Sequence, residues 1–326
     1  MPASEADLIE RYLRGAGAER ADVILGIGDD AALLRAPAHQ ELVVTTDALI
    51  EGAHFLPGAP AHSLGHRALA VNLSDLAAMG AEPAWALASL VLPEADEAWL
   101  RDFAAGFGAL ARSCGVALVG GNLSRGPLSI TIQLTGFVPP GTALRRGGGG
   151  PGDWLFVSGT LGDARAGRLL GMAEPDARVL VPAQRQTLLR RFEYPSARIA
   201  LGQALRGVAS ACMDLSDGLL ADLPRLAAAS GCAADLRVAD LPLSAPLRAL
   251  CGAQAWRQAL QGGEDYELLF SVPAVRAPAI SALAAKLELP LSACGQLRSG
   301  SGVALLGDSG VIQFSASSFD HFAAAP

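Results

Sequence analysis

The chain has 326 residues, of which 51% are hydrophobic, 17% charged and 5% aromatic, enough for about two domains that each bury a core. This apolar content excludes a disordered chain, and a formal net charge of −7 offers no basic face for a nucleic-acid backbone. No uncharged apolar run approaches the roughly 18 to 20 residues of a membrane helix, and MPASEADLIERYLRG has no signal-peptide stretch, so a cytoplasmic protein without membrane or nucleic-acid partners is predicted.

In chain order, ELVVTTD (41–47) is a β-branched run ending in an acid, a predicted strand. HSLGHRALAVNLSDLAAMG (62–80) has helical spacing and a glycine stop, and WALASLVLP (85–93) reads as a strand closed by proline. A long helix follows over 94–115, with acids in its first turn and a glycine after it. VALVGGN and LSITIQLTGFV are strands, the second alternating cleanly between apolar and polar residues. TALRRGGGGPGDW (142–154) is the clearest break, because four consecutive glycines lose too much entropy on ordering to sit inside an element.

Beyond the break, DWLFVSG reads as a strand and the segments near 163–171, 184–192 and 196–206 as helices. SACMDLSDGLLADLPRLAAASG (210–231) reads as strand, acidic turn and helix; YELLFSVP, VALLG and VIQF supply later strands. Helices and strands mix in both halves without strict βαβ repetition, which predicts an α+β protein of two domains. The boundaries fall at 1–141, a glycine-rich linker 142–152, and 153–326.

The chain contains one lysine, Lys286, within the amphipathic AISALAAKLELP and without a glycine-rich loop before it. A P-loop, a kinase strand lysine and a Schiff base are therefore hard to place; if phosphate is handled, metals and arginines must carry the charge. Five scattered cysteines never form CxxC, and the five histidines form no HExxH, which fits buried reduced thiols and opposes a zinc site.

Four acidic segments stand at apparent strand or helix ends: GIGDDAA (26–32), TTDALIEGAHF (45–55), NLSDL (72–76) and MDLSDGLL (213–220). Each alone is an ordinary cap or turn. Together they favour a set of oxygen ligands, in which clustered carboxylates are relieved of mutual repulsion by bound Mg²⁺, Mn²⁺ or Ca²⁺. GIGDDA also matches G-x-G-x-x-A, but Asp29 and Asp30 would face a pyrophosphate and a proline soon follows. VGGN (119–122) is compatible with backbone N–H groups approaching phosphate and equally with a tight turn. Arg145 and Arg146 fit a phosphate clamp or a solvated surface, and GGEDYEL (262–268) a substrate-reading loop or an ordinary turn. His54 and Phe319 are by default a capping histidine and a core anchor. No GxSxG elbow supports hydrolase chemistry.

GIGDDAA, TTDALIEGAHF, ALAVNLSDLAAMGAEPAW, GGNLSRG, PGDWLFVSGTLGD, MDLSDGLLAD and GGEDYEL occur in this order, and the set resembles the thiamine-monophosphate kinases. That family is similar in fold to the aminoimidazole ribonucleotide synthetase superfamily. The resemblance runs from about residue 8 to FDHF (319–322), nearly the whole chain.

It implies an N-terminal domain that binds metal and ATP and pairs its sheet in a homodimer, with a C-terminal domain completing the active site. It also implies ATP-dependent phosphorylation of thiamine monophosphate to thiamine diphosphate by direct in-line γ-phosphoryl transfer. By motif position, Asp30, Thr45, Thr46, Asp47, Asp75, Asn122, Asp214 and Asp217 would hold several Mg²⁺ ions. Gly121, Asn122, Arg146 and Ser216 would contact ATP, while His54, Glu264 and Phe319 would line the thiamine pocket. No residue would act as acid or base, catalysis resting on the metals and Arg146. Some members carry aspartate in place of Asn122 and tyrosine or tryptophan in place of Phe319. Other readings are ATP-dependent activation of a carbonyl or amide oxygen, and a metal- or nucleotide-binding regulator without turnover.

Overall fold

The computed structural model describes residues 4–172 and 180–313, and its chain divides into two compact units. The first comprises 1–76 and 81–142, the second 77–80 and 143–326. Among the described residues, no helix is long and apolar enough to cross a membrane.

The first unit opens with helix α1 (Glu5–Leu8), which runs into a π-helical turn, Ile9–Leu13. Ser4 caps it, accepting from the Asp7 N–H at 3.2 Å. A small hairpin, β1 (Val23–Leu25) with β2 (Leu33–Leu34), encloses the GIGDDAA loop. The main sheet has four strands: β3 (Glu41–Ile50), β4 (Glu82–Leu92), β5 (Ala117–Arg125) and β6 (Ser129–Val138), in the order β3-β6-β4-β5. Only β4 and β5 run parallel, because helix α3 (Glu97–Ser113) carries the chain between them. Helix α2 (Ala61–Ala78) joins β3 to β4.

The β6 alternation seen in the sequence is a burial alternation. Ile130, Ile132 and Leu134 are fully buried on one face, while Thr131, Gln133 and Thr135 point to the other. On α3 the buried Leu100, Phe103, Phe107 and Ala111 recur at helical spacing. Helices α2 and α3 cross so closely that a Cβ at Gly65 would lie 2.0 Å from the Phe103 carbonyl oxygen, and one at Gly106 1.9 Å from that of His62. Only glycine fits at either position.

The second unit is built on a seven-stranded sheet in the order β13-β12-β9-β11-β7-β10-β8. Its strands are β7 (Trp154–Ser158), β8 (Ala211–Asp214), β9 (Ala233–Arg237), β10 (Leu268–Val272), β11 (Leu291–Arg298), β12 (Val303–Gly307) and β13 (Gly310–Val311). Helices α4 (Asp163–Gly171), α5 (Pro182–Glu193), α6 (Ile199–Leu205), α7 (Leu219–Ala229), α8 (Ala245–Cys251), α9 (Ala255–Gln261) and α10 (Pro278–Leu287) surround it.

Both faces of this sheet are covered. Leu155, Val157 and Leu269 join a core with Leu219, Leu223 and Leu226 of α7, while Phe156, Leu268 and Phe270 join one with Leu201, Leu205 and Ile280. This explains why β7 and β10 read as unbroken apolar runs instead of alternating. Phe156 and Phe270 pair across the two strands, their rings stacked 5.6 Å apart. The glycine-rich segment lies outside every helix and strand, with Gly149 N–H donating to Ser230 Oγ at 3.2 Å and Gly150 N–H to Asp153 Oδ2 at 3.0 Å.

Candidate active site

In the first unit the TTD triplet lies within β3, not at its end, so period-two alternation divides it between two faces. Thr45 and Asp47 sit opposite the buried Leu134 and Ile132, on the face that carries the core. There Asp75 meets them from α2: the Thr45 hydroxyl donates to Asp75 Oδ2 at 2.5 Å. NLSDL is thus part of a helix and not an acidic turn, because the apolar spacing of α2 continues through it to Ala78. Two carboxylates and a hydroxyl on one face are hard oxygen donors, the type that suits Mg²⁺. Among the described residues, no group of three or more His, Cys, Asp or Glu side chains is gathered tightly enough to hold a metal on its own.

Thr46 points to the opposite, open face, where its hydroxyl donates to the Ile132 carbonyl at 3.1 Å. On that face it stands opposite Gln133, which neighbours Leu87 in β4. Asn122 is in register with Ser89, and Ser89 with Thr131. VGGN is therefore neither a phosphate loop nor a turn but the middle of β5. Gly121 has φ +149°, and a Cβ there would lie 1.8 Å from the Ala88 carbonyl oxygen, so close strand approach explains the glycine. Gly121, Asn122 and Gln133 line a cavity of about 980 Å³, together with Arg14, Asp29 and Asp30. Asp30 is exposed, and its N–H donates to Asp29 Oδ1 at 2.8 Å. His54 lies in the turn after β3, where the Ile50 N–H donates to its Nδ1 at 3.1 Å.

In the second unit the structure joins two motifs about 50 residues apart in sequence. Strand β8 ends at the buried Asp214, and its neighbour β10 begins at Leu268, directly opposite. The ladder continues past both ends: Leu215 N–H donates to Glu267 O at 2.8 Å, Tyr266 N–H to Leu215 O at 3.0 Å and Glu264 N–H to Ser216 O at 2.8 Å. Ser216, Asp217 and Glu264 therefore share one end of the sheet. Arg225 donates to Asp217 Oδ2 at 2.6 Å and to Asp222 Oδ1 at 2.8 Å. Arg146 is exposed beside β8: the preceding Arg145 carbonyl accepts from Cys212 N–H at 2.7 Å, and Ser230 Oγ donates to the Arg146 carbonyl at 3.3 Å. Phe319 lies outside the described residues.

Three carboxylates that sequence reasoning passed over hold this end in shape. Asp222 accepts from the N–H groups of Asp217 and Gly218, each at 3.1 Å, and burial followed by the nearby Asp217 charge pushes its pKa up to about 6. Its place in the first turn of α7 is a capping signal visible in DGLLAD. Asp265 accepts from Gly162 N–H at 2.6 Å and Ala164 N–H at 3.2 Å at the start of α4, and burial pushes it up to about 7. Glu267 is wholly buried; it accepts from Ser158 Oγ at 2.5 Å, Arg191 at 2.8 Å and Arg198 at 2.6 Å. The partners of these last two lie 69 to 109 residues away, so no local pattern announces them.

The two folds and their acidic ends define an AIR synthase related protein: the family model of its N-terminal domain matches residues 28–138, and that of its C-terminal domain residues 150–308. Within that class the chain belongs to the thiamine-monophosphate kinase family. It is 45% identical to the thiamine-monophosphate kinase of Salmonella typhimurium over 325 residues, 99% of each chain. The crystal structure of thiamine-monophosphate kinase from Stenotrophomonas maltophilia matches with a TM-score of 0.86 at 46% identity, covering 94% of this chain and 97% of that one. AaThiL complexed with AMPPCP and TMP matches with a TM-score of 0.78 at 34% identity, covering 97% and 96%.

Proposed function

We propose that this enzyme transfers the γ-phosphoryl group of ATP to thiamine monophosphate, giving thiamine diphosphate and ADP. The observation that carries the reading is the likeness, along 97% of the chain, to AaThiL, a structure that holds AMPPCP and TMP together. The acceptor is a phosphate monoester with a second pKa near 6, so it is largely dianionic at neutral pH and needs no general base. What the protein must overcome is repulsion between two polyanions.

Thr45, Asp47 and Asp75 in the first unit, and Asp214 and Asp217 in the second, are the residues we assign to Mg²⁺, with Asp30 contributing from the β1–β2 loop and Thr46 and Asn122 from the open sheet face. Mg²⁺ bound there would neutralise phosphate charge and align donor and acceptor for in-line transfer. Gly121, Asn122, Arg146 and Ser216 are assigned to ATP. The place of Gly121 and Asn122 in the lining of the first unit's cavity supports this. His54 and Glu264 are assigned to the thiamine end of the acceptor, together with Phe319. Exposure of Leu42 (55%), Val44 (61%) and Ile50 (48%) on the open face of β3 supports a homodimer that pairs this face between copies.

Asp47→Asn and Asp75→Asn test the metal assignment. Asparagine at 75 keeps an oxygen to accept from Thr45, so the fold survives while the charge is lost. Each variant should lose on the order of 100-fold in kcat, with a raised Mg²⁺ requirement and an unchanged Tm. Turnover within two-fold of wild type would refute the assignment.

A further inference from the structure

The segment Gly262–Glu267 is held in an unusual backbone. Glu264 has φ +74° and Tyr266 φ +51°, so two side-chain-bearing residues two apart both occupy the left-handed region. Such residues persist only where the surroundings over-determine them, and they gather at functional sites. The surroundings here are explicit. Glu264 and Tyr266 donate their N–H groups to the Ser216 and Leu215 carbonyls, while the intervening Asp265 is tied to the start of α4 and Glu267 to two arginines. Asp265 and Glu267 act as anchors on the buried side. What this backbone achieves is to bring the side chains of Glu264 and Tyr266 together: the Tyr266 hydroxyl donates to Glu264 Oε2 at 2.8 Å. Tyr266 is only 8% exposed, so packing of its ring fixes where the hydroxyl can be.

We propose that Tyr266 is a positioning residue for acceptor recognition. Its hydroxyl holds the Glu264 carboxylate in the orientation that receives the N–H donors of the acceptor's aromatic amine end. This rests on the assignment of Glu264 to that end of the substrate. A hydroxyl–carboxylate bond is charge-assisted, and losing it without disturbing the ring costs roughly ten-fold in whatever step depends on the carboxylate's aim.

Tyr266→Phe removes the hydroxyl alone. Together with Glu264→Gln and the double variant, it should be measured for the KM of both substrates, for kcat and for Tm. Tyr266→Phe should raise the KM for thiamine monophosphate about ten-fold, leave the KM for ATP within two-fold and leave Tm unchanged. Glu264→Gln should raise the same KM, and adding Tyr266→Phe to it should cost little more, because the hydroxyl acts only through that carboxylate. If Glu264→Gln raises the acceptor KM and Tyr266→Phe does not, the positioning role is wrong and the Glu264 assignment stands. If Glu264→Gln leaves the acceptor KM unchanged, the assignment itself is wrong and the proposal falls with it. A Tyr266→Phe variant that lowers Tm and raises both KM values alike would mark a purely structural tyrosine and also overturn the proposal.

Discussion

Replacing Glu267 with glutamine should destabilise the second unit far more than an isosteric change usually does. The carboxylate is fully buried and accepts charged hydrogen bonds from Arg191 and Arg198 and a further bond from Ser158. A glutamine keeps one acceptor oxygen but turns an amide NH₂ toward guanidinium donors, so two mostly buried arginines lose the carboxylate they share. Removing one partner of a buried pair costs about 3–5 kcal/mol, and the residual exposure of the two arginines, 17% and 20%, places this case near 3. In a unit of this size each kcal/mol moves Tm by about 2–4 °C, so the transition should fall by roughly 6–12 °C. Calorimetry resolves that shift, and chemical denaturation should show a lower midpoint at unchanged slope. A Tm within 2 °C of wild type would mean that the arginines find other partners, and the view of Glu267 as an anchor would be refuted.

The pKa of Asp265 is raised in the fold, from 3.8 to about 7, so the folded state binds a proton that the unfolded state releases. Its contribution to stability is complete below about pH 4 and is lost as pH rises to 7; Asp265→Asn should therefore flatten the stability profile over that window by up to about 1.4 kcal/mol per pH unit relative to wild type. Parallel profiles from chemical denaturation at pH 4.5, 5.5 and 6.5 would refute the shift. At Gly121, alanine would set a Cβ 1.8 Å from the Ala88 carbonyl at φ +149°, and should cost the first unit about 2–5 kcal/mol, seen as a lower Tm or loss of soluble protein. A wild-type Tm would show that β4 and β5 can separate freely.

Local signals in the chain carried much of the fold and less of the site. The β-branched run at 41–47, the clean alternation of 129–138 and the capped helix at 97–113 each depend on neighbours in sequence, and each is found within a few residues of its predicted place. Strands β9 and β11 were not legible, since AADLR and LSACGQLR mix small and polar residues and become strands by pairing with each other. VALVGGN was legible as a strand, while its closing VGGN also read as a turn or a phosphate-approaching segment because paired glycines usually mark one; inside β5 they are required by the approach of β4, which no local pattern encodes. NLSDL lies inside the segment 62–80 whose helical spacing was legible, and it read as a cap or turn only because Ser and Asp cap helices. The division of Thr45 and Asp47 from Thr46 was available from alternation alone, once β3 is known to run through them. The anchors Asp265 and Glu267 depend on groups dozens of residues away, and only the fold reveals them.

The most direct measurement follows purified protein with ATP and thiamine monophosphate, with product separated by chromatography. Free thiamine as acceptor and a magnesium-free reaction serve as controls. Magnesium-dependent thiamine diphosphate from the monophosphate, with ADP in equal amount and none from thiamine, is the predicted result. Folded protein that binds ATP yet forms no thiamine diphosphate would contradict the account.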